Sequence, residues 1–115
     1  MTRLTLRIDF DENRALGPGK VRLLELVGET GSISAAGRAM GMSYRRAWML
    51  VDALNRTFSL PVVETRGGGA GGGGASLTPF GAGVVENYRA MERDARNALA
   101  RRLAELERAL APAQT

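Results

Sequence analysis

Arg45 and Arg46 stand directly after Ser43 and Tyr44, at the head of a segment whose apolar residues recur every three or four positions. A guanidinium carries fixed charge and a planar fork of donors. It grips a phosphate, or the acceptor edge of guanine, through two parallel hydrogen bonds. One of the two arginines is placed to read a base edge and the other to clamp phosphate. Ser43 supplies a hydroxyl that can cap the segment or reach phosphate. Tyr44 supplies a phenol that can donate to phosphate or pack its ring on the preceding turn. Met49 falls beside Arg45, where a thioether can lie against a thymine methyl. Trp48 is one turn beyond Tyr44, at the border of the inner face, and reads as a core residue first and a base contact second. Cations in a first helical turn oppose the positive end of the helix dipole. They disfavour the helix on its own, which argues for an anionic partner over idle surface charge.

Composition narrows the chemistry further. The chain has 115 residues, the size of one domain, and its hydrophobic fraction of 44% is enough for a modest core. Sixteen Lys and Arg face twelve Asp and Glu, a formal charge of +4 that suits a polyanion, and Lys20 is the single lysine. With no Cys and no His, disulfides, thiolate chemistry, Cys/His zinc sites and a His-based triad are excluded. The five Met residues are scattered, and Met40 and Met42 read as core rather than as a copper site. No cofactor or metal is expected. The first residues lack the apolar stretch of a signal peptide, and no apolar run approaches the ~20 residues of a membrane span. A cytoplasmic location without membrane contact is the expectation.

The elements that must position the arginines follow from pattern. Leu4, Leu6, Ile8 and Phe10 alternate with polar residues, which predicts a half-buried strand over residues 4–10. Gly17-Pro18-Gly19 breaks the chain, and a first helix is expected over residues 20–28. Ser32 or Ser34 caps a second helix running to about Met40. Gly41 is the turn residue, where a left-handed backbone is cheap. Ser43 caps a third helix over residues 44–57, with Ala47, Leu50, Val51, Leu54 and Phe58 inward and Arg45, Met49 and Asp52 outward. Two short helices joined by a three-residue turn form a helix-turn-helix, which sets its second helix into a DNA major groove.

Pro61 stops helical structure. Residues 62–66 and Ala75-Ser-Leu77 read as a hairpin whose tip, residues 67–74, is nearly all glycine. A Walker loop needs Lys and then Ser or Thr after its last glycine. Ala75-Ser76 supplies no Lys, so a mobile wing is the better reading, with the amides of Gly68 and Gly69 free to approach phosphate. Thr78-Pro79 starts a last helix that runs unbroken to about Leu110. Val84, Tyr88, Met91, Leu99, Leu103, Leu106 and Leu110 form an apolar stripe on an arm longer than the domain needs, which calls for a partner. Its charged residues interleave, as in a solvated face rather than a catalytic pair.

The order strand, helix, helix-turn-helix, wing, long helix resembles the N-terminal DNA-binding domain of ModE-type molybdate-responsive regulators. The residues carrying the resemblance are Gly31-Ser-Ile-Ser34, Gly41-Met-Ser-Tyr44, Ala47-Trp48, the run Gly71-Gly-Gly-Gly-Ala75 and Leu77-Thr-x-x-Gly81. The helix-turn-helix alone is similar to the LysR-type pattern. Trp48 and the glycine wing point to the ModE type. The resemblance covers about residues 4–99 and implies a homodimer whose paired terminal helices hold two recognition helices over successive major grooves. The family's wing commonly carries a Lys within its glycines. Here Ala70 takes that place, and Arg66 at the wing base is the cation that can substitute. The family continues into oxyanion-binding domains and this chain stops before them, so molybdate or tungstate sensing is not carried over.

The expectation is therefore a mainly α fold with a small β wing. Residues 1–78 form a winged helix-turn-helix, residues 79–111 a dimerisation helix and residues 112–115 a tail. The expected function is that of a non-enzymatic, sequence-specific regulator on double-stranded DNA, acting as a homodimer on a palindromic operator. Its candidate contacts are Ser32, Ser34, Ser43, Tyr44, Arg45, Arg46, Trp48, Met49, Arg66, Gly68 and Gly69. Two other readings stay open. One is an architectural DNA-binding protein with little sequence choice. The other is an interaction module that heterodimerises with a larger ModE-type regulator and tunes it.

Overall fold

In the computed structural model, which describes residues 2–67 and 74–113, eight elements follow one another. They are β1 (Ile8–Asp9), β2 (Ala15–Leu16), α1 (Pro18–Thr30), α2 (Ile33–Ala39), α3 (Tyr44–Thr57), β3 (Val63–Thr65), β4 (Ala75–Leu77) and α4 (Pro79–Arg108). The strands form two separate antiparallel pairs, β1 with β2 and β3 with β4. Val63 lies opposite Leu77 and Thr65 opposite Ala75. The fold is thus mainly α with a small wing, as the patterning predicts.

The strand expected over residues 4–10 is shorter. The alternation is real, since Leu4, Leu6 and Ile8 are half-buried while Thr5, Arg7 and Asp9 are exposed. Only Ile8 and Asp9 find a ladder partner, on β2. The Asp11 carboxylate folds the hairpin by accepting from the Asn13 and Arg14 amides at 3.0 and 2.8 Å. Two residues are too few to announce β2 by periodicity. Phe10 ends outside the core and meets Phe58 edge-on at 5.8 Å. The first helix is longer than residues 20–28. Pro18 opens it, and Gly31 closes it with a positive φ of 73°, its amide bonded to the Val27 carbonyl.

Val21, Leu23, Leu24 and Val27 of α1, Ala36 of α2 and Val51 and Leu54 of α3 build one core beneath the helix-turn-helix. Two glycines set its geometry. Gly41, at φ 70°, makes the left-handed turn between α2 and α3. A Cβ on Gly37 would sit 2.8 Å from that of Ala47, so only glycine lets α2 cross α3 this closely.

The start of α4 is pinned the same way. The Thr78 amide donates to the Val62 carbonyl at 3.0 Å. The Thr78 hydroxyl donates to the Pro61 carbonyl at 2.7 Å and accepts from the Gly81 amide at 2.9 Å. A Cβ on Gly81 would fall on the Val62 carbonyl. The helix then stays in the core for three turns. Tyr88 is 0% exposed, and its hydroxyl donates to the Leu6 carbonyl at 2.6 Å. Val84 and Tyr88, expected on the dimer stripe, are therefore core residues of the protomer. Their spacing matches the stripe because the same helix face first meets its own body and only later leaves it.

One ion-pair cluster ties α1 to α4. Arg89 straddles Glu25 through Nη2 at 2.8 Å and Nε at 3.1 Å, and its Nη1 reaches Glu92 at 2.8 Å. The two-pronged bond from Arg89 holds the Glu25 carboxyl below its ordinary range, with Arg22 helping against a burial cost. Arg89 is correspondingly raised by Glu25 and then Glu92. Beyond this cluster α4 runs past the core with Thr2 and Leu4 of the N-terminal segment beside it, and the molecule reaches 59 Å in its longest dimension. No helix among the described residues is long and apolar enough to cross a membrane.

Two outcomes are expected. Gly81→Ala destabilises the fold by ~3 kcal/mol or more, because its methyl meets backbone that cannot rotate away; chemical denaturation measures this, and a destabilisation below about 1 kcal/mol contradicts the close approach. A carboxylate with a depressed folded pKa contributes stability above its unfolded pKa and loses it as pH falls through the folded value. Glu25→Gln should therefore cost about 1 kcal/mol at pH 7 and less below pH 4, narrowing the gap to wild type in acid. A gap independent of pH contradicts the assignment.

Candidate nucleic-acid interface

The cap of α3 decides which side chains face out. Ser43 holds an extended backbone, and its Oγ accepts from the Arg46 amide at 3.1 Å. Ala47, Val51 and Leu54 turn inward. At 100° per residue the opposite face carries Arg45, Met49, Asp52 and Arg56. All but Asp52 are exposed. Arg56 was not among the expected contacts. It pairs with Asp52 at 3.1 Å, one turn apart, which gives this face an anionic acceptor beside its cations. Neither Arg45 nor Arg46 has a carboxylate within salt-bridge distance among the described residues.

Tyr44 and Trp48 lie on the flank of α3 that faces the wing. Trp48 is 42% exposed, so it is not the core residue that its position first suggests. Together with Ser32, Ser34, Thr65 and Arg66 these rings line an open cleft of about 440 Å³ between α2, α3 and the wing base. Ser32 is the cap of α2 and accepts from the Ala35 amide at 3.1 Å. Ser34 instead accepts from Arg38 at 2.8 Å, which places a further exposed arginine beside the cleft. On the other side of α3, Ser43, Arg45, Arg46 and Met49 border a second shallow hollow.

The wing base is held from three sides. Arg66 donates its amide to the Gly74 carbonyl at 2.8 Å, and Ala75 donates to the Gly31 carbonyl at 2.9 Å. The Arg66 guanidinium lies over Gly74, where a Cβ would approach its Nη2 at 3.2 Å. Asn55, late in α3, grips the wing from below. Its Oδ1 accepts from the Val62 and Val63 amides at 2.8 and 3.0 Å, and its Nδ2 donates to the Val63 carbonyl. Pattern reading missed Asn55, because a polar residue at an ordinary helical position gives no local sign of a partner eight residues away. The amides of Gly68 and Gly69, with the rest of residues 68–73, lie outside the described residues.

The arrangement is one helix with free cations and exposed rings, a cleft beside it, and a wing base carrying Arg66. It can bind a polyanionic surface and insert side chains into a groove. It offers no nucleophile and base in hydrogen-bonding reach of each other among the described residues.

Comparison with known proteins agrees with the geometry. The family described as "Bacterial regulatory helix-turn-helix protein, lysR family" matches residues 19–82. The chain is 48% identical over 77 residues to the molybdenum-pterin-binding protein MopB of Rhodobacter capsulatus, covering 67% of this chain and 28% of that protein. It is 38% identical over 96 residues to the molybdenum transport protein ModE of Azotobacter vinelandii, covering 84% of this chain and 36% of that protein. The chain thus spans about a third of the length of these relatives. Among solved structures, the CbnR_DBD–DNA complex superposes with a TM-score of 0.57 at 23% identity, covering 76% of this chain and 95% of that one. At that identity the likeness concerns the fold. The chain belongs to the lysR family of bacterial regulatory helix-turn-helix proteins, and its winged helix-turn-helix is of the ModE type.

Proposed function

We propose that the protein is a DNA-binding transcriptional regulator that works as a homodimer on a palindromic site. The observation that carries this reading is the outward face of α3. Arg45 and Arg46 project from its first turn with no carboxylate partner among the described residues, next to Tyr44, Trp48 and Met49. A major groove is about 12 Å wide and admits one helix, whose leading residues meet base edges. Arg45 reads a base edge, Arg46 and Arg66 hold phosphate, and Met49 packs on a thymine methyl. The two-fold repeat follows from the arm. Leu99 and Leu106 are exposed along α4, past the last core residue of the helix, Tyr88. Leu103 is half-buried, beside Leu4 of the N-terminal segment.

Two measurements test this reading. Arg45→Ala should cost roughly 1–3 kcal/mol on the preferred site and relax base choice at one position per half-site. Arg46→Ala should weaken all duplexes alike and flatten the salt dependence by ~0.9 log units per log unit of salt for each phosphate that is no longer neutralised. Identical titrations for wild type and both variants contradict the reading. Leu99→Glu combined with Leu106→Glu should convert a dimer to a monomer in sedimentation while leaving the circular dichroism of the body intact. A wild-type protein that sediments as a monomer at micromolar concentration contradicts the homodimer.

A further inference from the structure

Three arginines and a single carboxylate share α3. Arg45, Met49, Asp52 and Arg56 follow one another at spacings of four, three and four residues, so they form one stripe opposite Ala47, Val51 and Leu54. The Asp52 side chain is 48% open to water, and its ion pair among the described residues is with Arg56, Oδ2 to Nη2 at 3.1 Å. Arg56 is 74% open. An exposed pair one turn apart adds little to a helix. Against a polyanion the carboxylate is a liability, because it repels each phosphate that Arg45 and Arg46 attract. On a surface that meets duplex DNA, what rewards a carboxylate is an amino donor at a base edge.

We propose that Asp52 is a specificity-determining residue that accepts from the N4 amino group of a cytosine in the major groove, with Arg56 steadying its carboxylate. This rests on the DNA-binding reading above and deepens it.

The chemistry narrows the base to cytosine. An ionised carboxylate accepts hydrogen bonds and cannot donate. Guanine presents N7 and O6 and thymine presents O4, acceptors that repel it. Adenine offers an N6 donor but sets the N7 acceptor beside it, which suits the amide of an asparagine. Cytosine offers its N4 donor alone. Asp52 stands seven residues beyond Arg45, about 10 Å along the axis at ~1.5 Å per residue. That span is roughly three base steps of ~3.4 Å, so in a helix that follows the groove the two side chains read different base pairs. Arg56 offsets the Asp52 charge against the flanking phosphates while its guanidinium fixes where the carboxylate points.

Site selection from random duplex DNA, run with wild type, Asp52→Ala, Asp52→Asn and Arg56→Ala, reads the base choice directly. The substitutions alter solvent-facing side chains and should leave the circular dichroism unchanged. Wild type should enrich cytosine at a position of each half-site where Asp52→Ala enriches no base, with roughly 5- to 100-fold discrimination lost there. Asp52→Asn should favour adenine at that position. Asp52→Ala should also hold random duplex more tightly at low salt, because an anion has left the surface. Arg56→Ala should keep the cytosine and weaken every duplex alike. A pair that only braces the helix would move thermal stability and leave base choice untouched. If Asp52→Ala selects the same bases as wild type, or relaxes a position that is not cytosine, the inference is overturned and the DNA-binding reading stands. A wild-type protein that enriches no sequence overturns that reading itself.

Discussion

The rest of the molecule depends on a backbone-to-backbone contact at the junction of wing and arm. Gly81 lies against the Val62 carbonyl with no room for a methyl group, and Thr78 bonds to both Pro61 and Val62. That contact fixes where β3 begins and where α4 sets out. Because Asn55 binds Val62 and Val63 of the same wing base, the recognition helix is tied to the junction as well. Wing, recognition helix and arm therefore meet within a few residues of Val62. A rigid joint there lets an arm on one side of the body set the position of a helix on the other.

The charges divide along the same lines. Some arginines serve the structure: Arg89 holds Glu25 and Glu92, and Arg14 closes the first hairpin on Asp11. The first turn of α3 differs, since neither of its arginines is in an ion pair among the described residues. Arg45 and Arg46 stand at the positive end of their own helix, where cations are disfavoured. That local cost fits a surface that meets a polyanion, and the exposed Tyr44, Trp48 and Met49 beside them supply apolar area that water alone would not reward.

Features set by neighbouring residues were legible in the sequence. Ser43 and Thr78 cap their helices as their positions predict, and Gly41 takes the left-handed turn. Ala47, Val51 and Leu54 face inward as their spacing requires. Features that depend on distant partners were not legible. Periodicity put Tyr88 on the same stripe as Leu106, because a helical face carries no label for what it will touch. Only the fold shows that Tyr88 is buried against Leu6 while Leu106 stays in water. Trp48 looked like core for a similar reason, since a border position is buried or open according to where the wing comes to rest. Asn55 and β2 left no local sign at all.

The central claim is that a paired scaffold presents the leading end of α3 to a duplex. Selection of binding sites from random double-stranded DNA by the purified chain tests it most directly. The account predicts an enriched inverted repeat whose half-sites lie one or a few helical turns apart. Recovery of unselected sequence, bound as tightly as any other duplex or not at all at low salt, would contradict it.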